Sequence, residues 1–299
     1  MNIQSIEELI KHCEQRNKSI AEVMLDFESE KSGRSNEQII EMMAERLIKM
    51  KEAIDTGLSD RSTAPSGISG GDAILMTEYQ EKGQALSGSI VSDAMRFAFA
   101  TSENNARMGV IVATPTAGSA GILPGCLFSL HHNLGYSYEK LVLGLMTASA
   151  IGYVIANRAF ISGAAGGCQA EVGSATAMAA AAIVELKGGT PMQATQATAI
   201  ALKSLLGLVC DPVAGLVEVP CIKRNVIGTS IAFAAADLGL AGIKSQIPCD
   251  EVIGAMYDIG RNMPRTLRET ALGGLAMTPT GKKVKKRIFQ DKNQMGYEK

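Results

Sequence analysis

The stretch SGAAGGCQAEVGSATAMAAAAIVELKGGTP, Ser162–Pro191, decides the fold. After the glycine-rich turn, the run from Cys168 to Leu186 is too long for a strand and carries almost no side-chain chemistry, so it reads as a buried packing helix. Lys187-Gly188-Gly189-Thr190-Pro191 then stops that helix and starts another, with glycine past the last turn and proline in the first turn of the next. Outward from this stretch the pattern repeats. From Leu141 on, segments rich in Ala, Gly, Leu, Ile and Val are broken by SGAAGG, KGGTP and CDPVAG, which predicts a mostly α, all-α fold: a compact bundle of buried helices. The best strand candidate is the short MGVIVATP, Met108–Pro115. No internal repeat is evident.

Charge is partitioned along the chain. Residues 1–55 hold 20 Asp, Glu, Lys and Arg, whereas residues 106–222 hold 10. The first part reads as a polar helical layer over residues 1–60, belonging to the same domain as the centre. Ser5/Glu8, Ser19/Glu22 and Ser35/Gln38 have capping-box spacing, and Ile40, Met43, Leu47, Met50 and Ile54 form a one-faced stripe. The basic end, residues 282–299, reads as a solvated flexible tail.

Composition removes several function classes. With 46% hydrophobic and 20% charged residues the chain is globular, and a net charge of −1 gives no footprint for nucleic acid. Aromatic residues are 4% with no Trp, so base-stacking platforms are not expected. The N-terminus lacks a signal-peptide layout, which predicts a cytoplasmic protein. The longest charge-free run, Leu141–Asn157, falls short of a membrane span and reads as a buried helix, so no membrane partner is expected.

Six cysteines in a reducing compartment point to thiols or metal ligands. Cys13, Cys126 and Cys249 read as small buried hydrophobes or surface thiols. Cys168, Cys210 and Cys221 each sit at a helix break beside Gly, Pro or Asp, where freed backbone N–H groups stabilise thiolate. Zinc is a poor match, because no close cysteine pair exists and His12, His131 and His132 are not spaced as partners. An iron–sulfur centre with one iron left free by protein is one reading, and three ordinary core thiols are the other. APSGISGGDA (64–73) and ATPTAGSAGILPG (113–125) are candidate anion cradles or plain connecting loops, and neither is a nucleotide phosphate loop. Asn104, Asn105 and Arg107 precede the second loop as site groups or as a helix end. Lys203 reads as a snorkelling lysine rather than a pyridoxal phosphate anchor.

Taken together, SGAAGGCQAEVGSA, CDPVAGLVEVPCIKRN, ATPTAGSAGILPG, PSGISGGDA and the closing ETALGGLAMTPTG resemble the signature blocks of the iron–sulfur-dependent L-serine dehydratases, in the form of the α subunit of the two-subunit bacterial type. The resemblance covers nearly all of residues 60–280 and implies a catalytic domain over 61–281. It implies a 4Fe-4S cluster on Cys168, Cys210 and Cys221 with an open iron, and conversion of L-serine to pyruvate and ammonia. Elimination on L-cysteine or L-threonine is the related alternative, and a noncatalytic scaffold subunit the rival from another class. Carried over by position, Thr116, Ala117, Gly118 and Ser119, with Ser66, Gly67 and Asn104, hold the substrate, and Arg224 and Asn225 orient cluster or substrate. Single-chain members carry a further domain with a histidine motif, absent here, so the resemblance implies a separate β subunit as partner. The general base is not identifiable from the sequence; His131 and His132 look like surface residues.

Overall fold

The computed structural model describes residues 1–294, with side chains through Phe289, and contains helices and no strand among the described residues. Three helices form the N-terminal layer: α1 (Ile6–Arg16), α2 (Ile20–Ser32) and α3 (Asn36–Ser59). Ser5, Ser19 and Ser35 are their N-caps. Full capping boxes close α2 and α3, while Glu8 bonds the Gln4 amide rather than that of Ser5. The buried stripe of α3 is Ile39, Leu47, Met50, Ala53 and Ile54, so Ile40 and Met43 of the expected stripe lie at its edge.

The centre follows as α4 (Asp72–Glu81), α5 (Gly88–Ala106), α6 (Ile122–Leu134), α7 (Tyr138–Arg158), the single turn α8 (Gly163–Gly166), α9 (Ser174–Leu186), α10 (Pro191–Lys203), α11 (Cys221–Leu240), α12 (Cys249–Asn262) and α13 (Pro279–Gln294). Helix α9 is the axle. Ala175, Ala177 and Ala179–Ala182 are at most 1% exposed, and α6, α7, α10 and α11 pack around it. Alanine allows this because a small side chain lets helix backbones approach closely, and glycines on the neighbouring helices extend the effect. A Cβ at Gly228 of α11 would lie 2.8 Å from Ile122 Cδ1 and 2.9 Å from Thr176 Oγ1, inside van der Waals contact. Helix α7 is long and apolar enough to cross a bilayer, yet 67% of its most apolar window is buried against protein.

Two elements differ from expectation. Met108–Pro115 runs as unpaired chain with Met108 and Val110 exposed. Its apolar residues have the strand pattern, but no neighbouring edge is there to pair with them. The basic end continues as α13 through Gln294, because Val284 and Ile288, four residues apart, share a face against Ile68, Val213, Ala214 and Leu216 while the lysines point outward. Residues 295–299 of the expected tail lie outside the described residues.

Carboxylates from the centre dock the polar layer. Asp250 of α12 accepts from the Ile6 and Glu7 amides, both at 3.0 Å, at the start of α1. Glu185 of α9 accepts from the Ile20 amide at 2.8 Å, the Ala21 amide at 3.0 Å and the Thr147 hydroxyl at 2.7 Å. Burial holds the Glu185 carboxyl above its ordinary value of 4.5. An acid raised in this way contributes its stability fully below its unfolded value and loses it as pH climbs through the folded one. Glu185→Ala is therefore expected to lower stability by roughly 1–3 kcal/mol, because it strands two amides and a hydroxyl. In chemical denaturation followed by circular dichroism, the gap between wild type and variant should narrow as pH rises from about 4.5 toward neutrality.

Candidate metal centre

Cys168 is placed by the turn before it. Gly167 adopts φ +79°, and a Cβ there would lie 2.6 Å from Met263 Sδ and 3.0 Å from the Leu208 carbonyl. Only glycine fits both the conformation and the space. The chain then makes a π turn over Gln169–Gly173 before entering α9. Such wide turns project side chains that a regular helix would keep in its own packing, and they recur at functional sites. Gln169, fully buried, fixes the turn: its amide nitrogen donates to the Gly166 and Met256 carbonyls at 3.0 Å each, and its oxygen accepts from the Gly207 amide at 2.9 Å.

The π turn delivers Glu171 beside the thiols. A carboxylate oxygen of Glu171 and the Sγ atoms of Cys168 and Cys210 all lie within 4.8 Å of one another, all buried. Cys221, the first residue of α11, is buried but lies outside this group. Two of the three expected ligands thus converge with an acid that the cysteine pattern did not signal. The acid had one signal: it is among only ten charged residues between 106 and 222.

Electrostatics single out Cys168. A hydrogen bond from the Cys210 thiol, reinforced by the Arg224 guanidinium, holds Cys168 below its ordinary value against the cost of burial, and Cys210 is pushed up as the partner that keeps its proton. Burial pushes Cys221 up, and it pushes Glu171 up against the opposing hydrogen bond from Thr116. Elsewhere Cys126 and Cys249 are raised by burial, and Cys13 is pushed up to about 12, mainly by burial. None of these three lies in the group around Glu171. They are core filler.

The loops close in around the group. Thr116 Oγ1 donates to Glu171 Oε1 at 2.8 Å, and a Cβ on Gly118 would stand 3.3 Å from both carboxylate oxygens. Asn225 holds that loop on α11, donating to the Gly118 carbonyl at 2.7 Å and accepting from the Gly121 amide at 3.0 Å. Ser119 turns inward to the Thr114 carbonyl at 3.1 Å. Ser66 and Ser69 both donate to Glu218, the former at 2.8 Å, so the 64–71 loop rides on the segment between Cys210 and Cys221. The Ser66 hydroxyl is thus engaged by Glu218, and Gly67 follows it at φ +69°. Arg224 straps the chain around Cys210 through the Val209 carbonyl at 2.7 Å and Asp211 at 3.0 Å.

Asn104 stands apart from these. Its amide donates to the Val110 carbonyl at 3.0 Å and shapes the turn after α5, while Asn105 reaches the Ala117 carbonyl at 3.2 Å. His131 bonds the Tyr136 carbonyl and His132 bonds Asp93, both at 2.6 Å, toward the far end of α6. Sequence reasoning also passed over Gln169, Glu218 and Glu269. The last accepts no special notice as a charged residue, but its amide donates to the Cys210 carbonyl at 2.8 Å.

Known proteins share this arrangement of residues along the chain. The family model described as serine dehydratase alpha chain matches residues 15–276. A "Probable L-serine dehydratase, alpha chain" of Bacillus subtilis is 54% identical over 285 residues, 95% of both chains. The "L-serine dehydratase, alpha chain" of Peptoniphilus asaccharolyticus is 42% identical over 284 residues, 95% of this chain and 97% of that one. "L-serine dehydratase 2" of Escherichia coli is 37% identical over 279 residues, which is 91% of this chain but 61% of the relative. The buried thiol–carboxylate group and the loops that enclose it lie in a chain that belongs to the serine dehydratase alpha chain family.

Proposed function

We propose that this chain is the cluster-bearing subunit of an L-serine dehydratase, a lyase that removes water from L-serine to give pyruvate and ammonia. The convergence of Cys168, Cys210 and Glu171 beneath the Thr116–Ser119 loop carries this reading.

The donor set fits a 4Fe-4S cluster. Thiolates are the soft ligands that iron–sulfur centres take, whereas magnesium or calcium would call for oxygen alone. Space is kept for the group: a Cβ on Gly163 would stand 2.8 Å from both Cys210 Sγ and Glu171 Oε2. Cys168, Cys210 and Cys221 would hold the cluster, leaving one iron without a protein thiolate. Its contribution is Lewis acidity toward the β-hydroxyl of serine.

The chain's own residues do the rest. The Thr116–Ser119 and Ser66–Gly67 loops bring small side chains and backbone donors to the substrate carboxylate. Asn225 fixes the first loop and Glu218 the second. Glu171 is the group suited to take the proton from Cα at a carboxylate oxygen, since burial raises its proton affinity and Thr116 orients one of its oxygens. Loss of that proton and of the hydroxyl gives aminoacrylate, which tautomerises and hydrolyses to pyruvate and ammonia. The printed names of the alpha-chain relatives support a separate β subunit as partner.

The test is anaerobic purification followed by iron and sulfide analysis and a pyruvate assay from L-serine, with and without the partner subunit. About four iron and four sulfide per chain are expected. Colourless protein after reconstitution, or no pyruvate, overturns the reading. Cys168→Ser, Cys210→Ser and Cys221→Ser should each lose iron, and Cys13→Ser and Cys126→Ser should keep it. Gly163→Ala should also lose iron while its circular dichroism stays that of wild type. Glu171→Gln should keep its iron and lose roughly 100-fold or more in kcat, the scale of a missing general base. Iron loss in that variant would mark Glu171 as a ligand instead.

A further inference from the structure

An amino-acid substrate brings an ammonium as well as a carboxylate, and the two loops around the site offer mainly donors, which suit only the carboxylate. An ammonium has three donors and no acceptor, so its partner must be an acceptor, best an unpaired anion. We propose that Glu269 binds the α-ammonium of the substrate; this rests on the amino-acid dehydratase reading above.

Three observations place Glu269 in that role. Its segment lies against the ligand strand: the Cys210 amide donates to the Leu267 carbonyl and the Glu269 amide to the Cys210 carbonyl, both at 2.8 Å. The half-buried Glu269 side chain makes no hydrogen bond or ion pair among the described residues. Neither nearby arginine forms an ion pair with it: Arg224 is held by Asp211, and Arg268 donates through Nη1 to the Ala165 carbonyl at 3.5 Å. An unpaired carboxylate on the segment that pairs with Cys210 is an acceptor open to a cation, and the ammonium of the substrate is that cation.

The backbone at this position adds a means of testing. Glu269 sits at φ +59°, the left-handed region where glycine is free and a side chain is strained. Glu269→Gly therefore removes the carboxylate while easing the backbone, and its melting temperature should equal or exceed that of wild type. A residue kept only for structure would not be missed there. Glu269→Gly and Glu269→Gln should keep wild-type iron content and raise KM for L-serine roughly 10- to 100-fold, the scale of losing a hydrogen bond to a charged group, with a smaller change in kcat. Glu269→Asp should retain part of the affinity. Inhibition by L-alanine and by propionate, which differ only in the ammonium, gives a direct reading. Wild type should favour L-alanine, and that preference should collapse toward unity in the Gly and Gln variants.

A KM within twofold of wild type in both variants, with the alanine preference intact, overturns the assignment and leaves the reaction standing. Loss of iron in Glu269→Gly also overturns it, showing that the side chain serves the ligand strand. If wild type forms no pyruvate from L-serine, the reaction and this assignment fall together.

Discussion

Burying thiols and carboxyls inside helices built from alanine is the constraint on which the rest of this structure depends. Neither a thiolate nor a carboxylate is tolerated in such surroundings without donors, and the alanines supply none. Donors come instead from the edges of the helices and from a few residues that close the group. The Cys210 thiol and Arg224 face Cys168, and Thr116 faces Glu171. Arg224 is itself held by Asp211, which also accepts from the Leu275 amide at 2.8 Å. Removing any member strips support from the next, so the site behaves as one unit rather than as a set of separate contacts.

The same economy governs the other acids of the apolar centre. Glu185 and Glu218, like Asp211 and Glu171, each accept at least one hydrogen bond from a segment distant in sequence. The scarce charges of residues 106–222 are therefore the points at which loops and layers are fastened. A low count of ionisable groups in a packed centre does not mean that electrostatics is idle there; Glu171, Glu185, Asp211 and Glu218 are each matched to partners.

How far the sequence could be read follows from this. The helices were legible because alanine-rich runs between glycine and proline breaks admit little else, and Ser19 and Ser35 cap as their spacing predicts. Cys168 and Cys210 stood out because they occur at breaks. Glu171 did not, because its approach to the thiols comes from a π turn, and nothing in local spacing announces one. Glu218 and Glu269 act through contacts spanning about 150 and 60 residues, out of reach of any periodicity. Asn104, a polar residue beside a loop, also donates to the Val110 carbonyl and so helps to shape the turn after α5. The strand expected at Met108–Pro115 failed because β-propensity expresses itself only where a partner edge exists.

The docking of α1 bears on the order of assembly. Its first two amides are satisfied by Asp250, 244 and 243 residues further along the chain. Helix α1, made before α12, therefore waits for this partner, since α12 must be synthesised and packed before that carboxylate is in position. Until then the first amides of α1 lack their acceptor, although α2, α7 and α10 are already there to pack against it. A chain wired this way closes end to beginning, and its folding is paced by the completion of its C-terminal half rather than by the helices that emerge first.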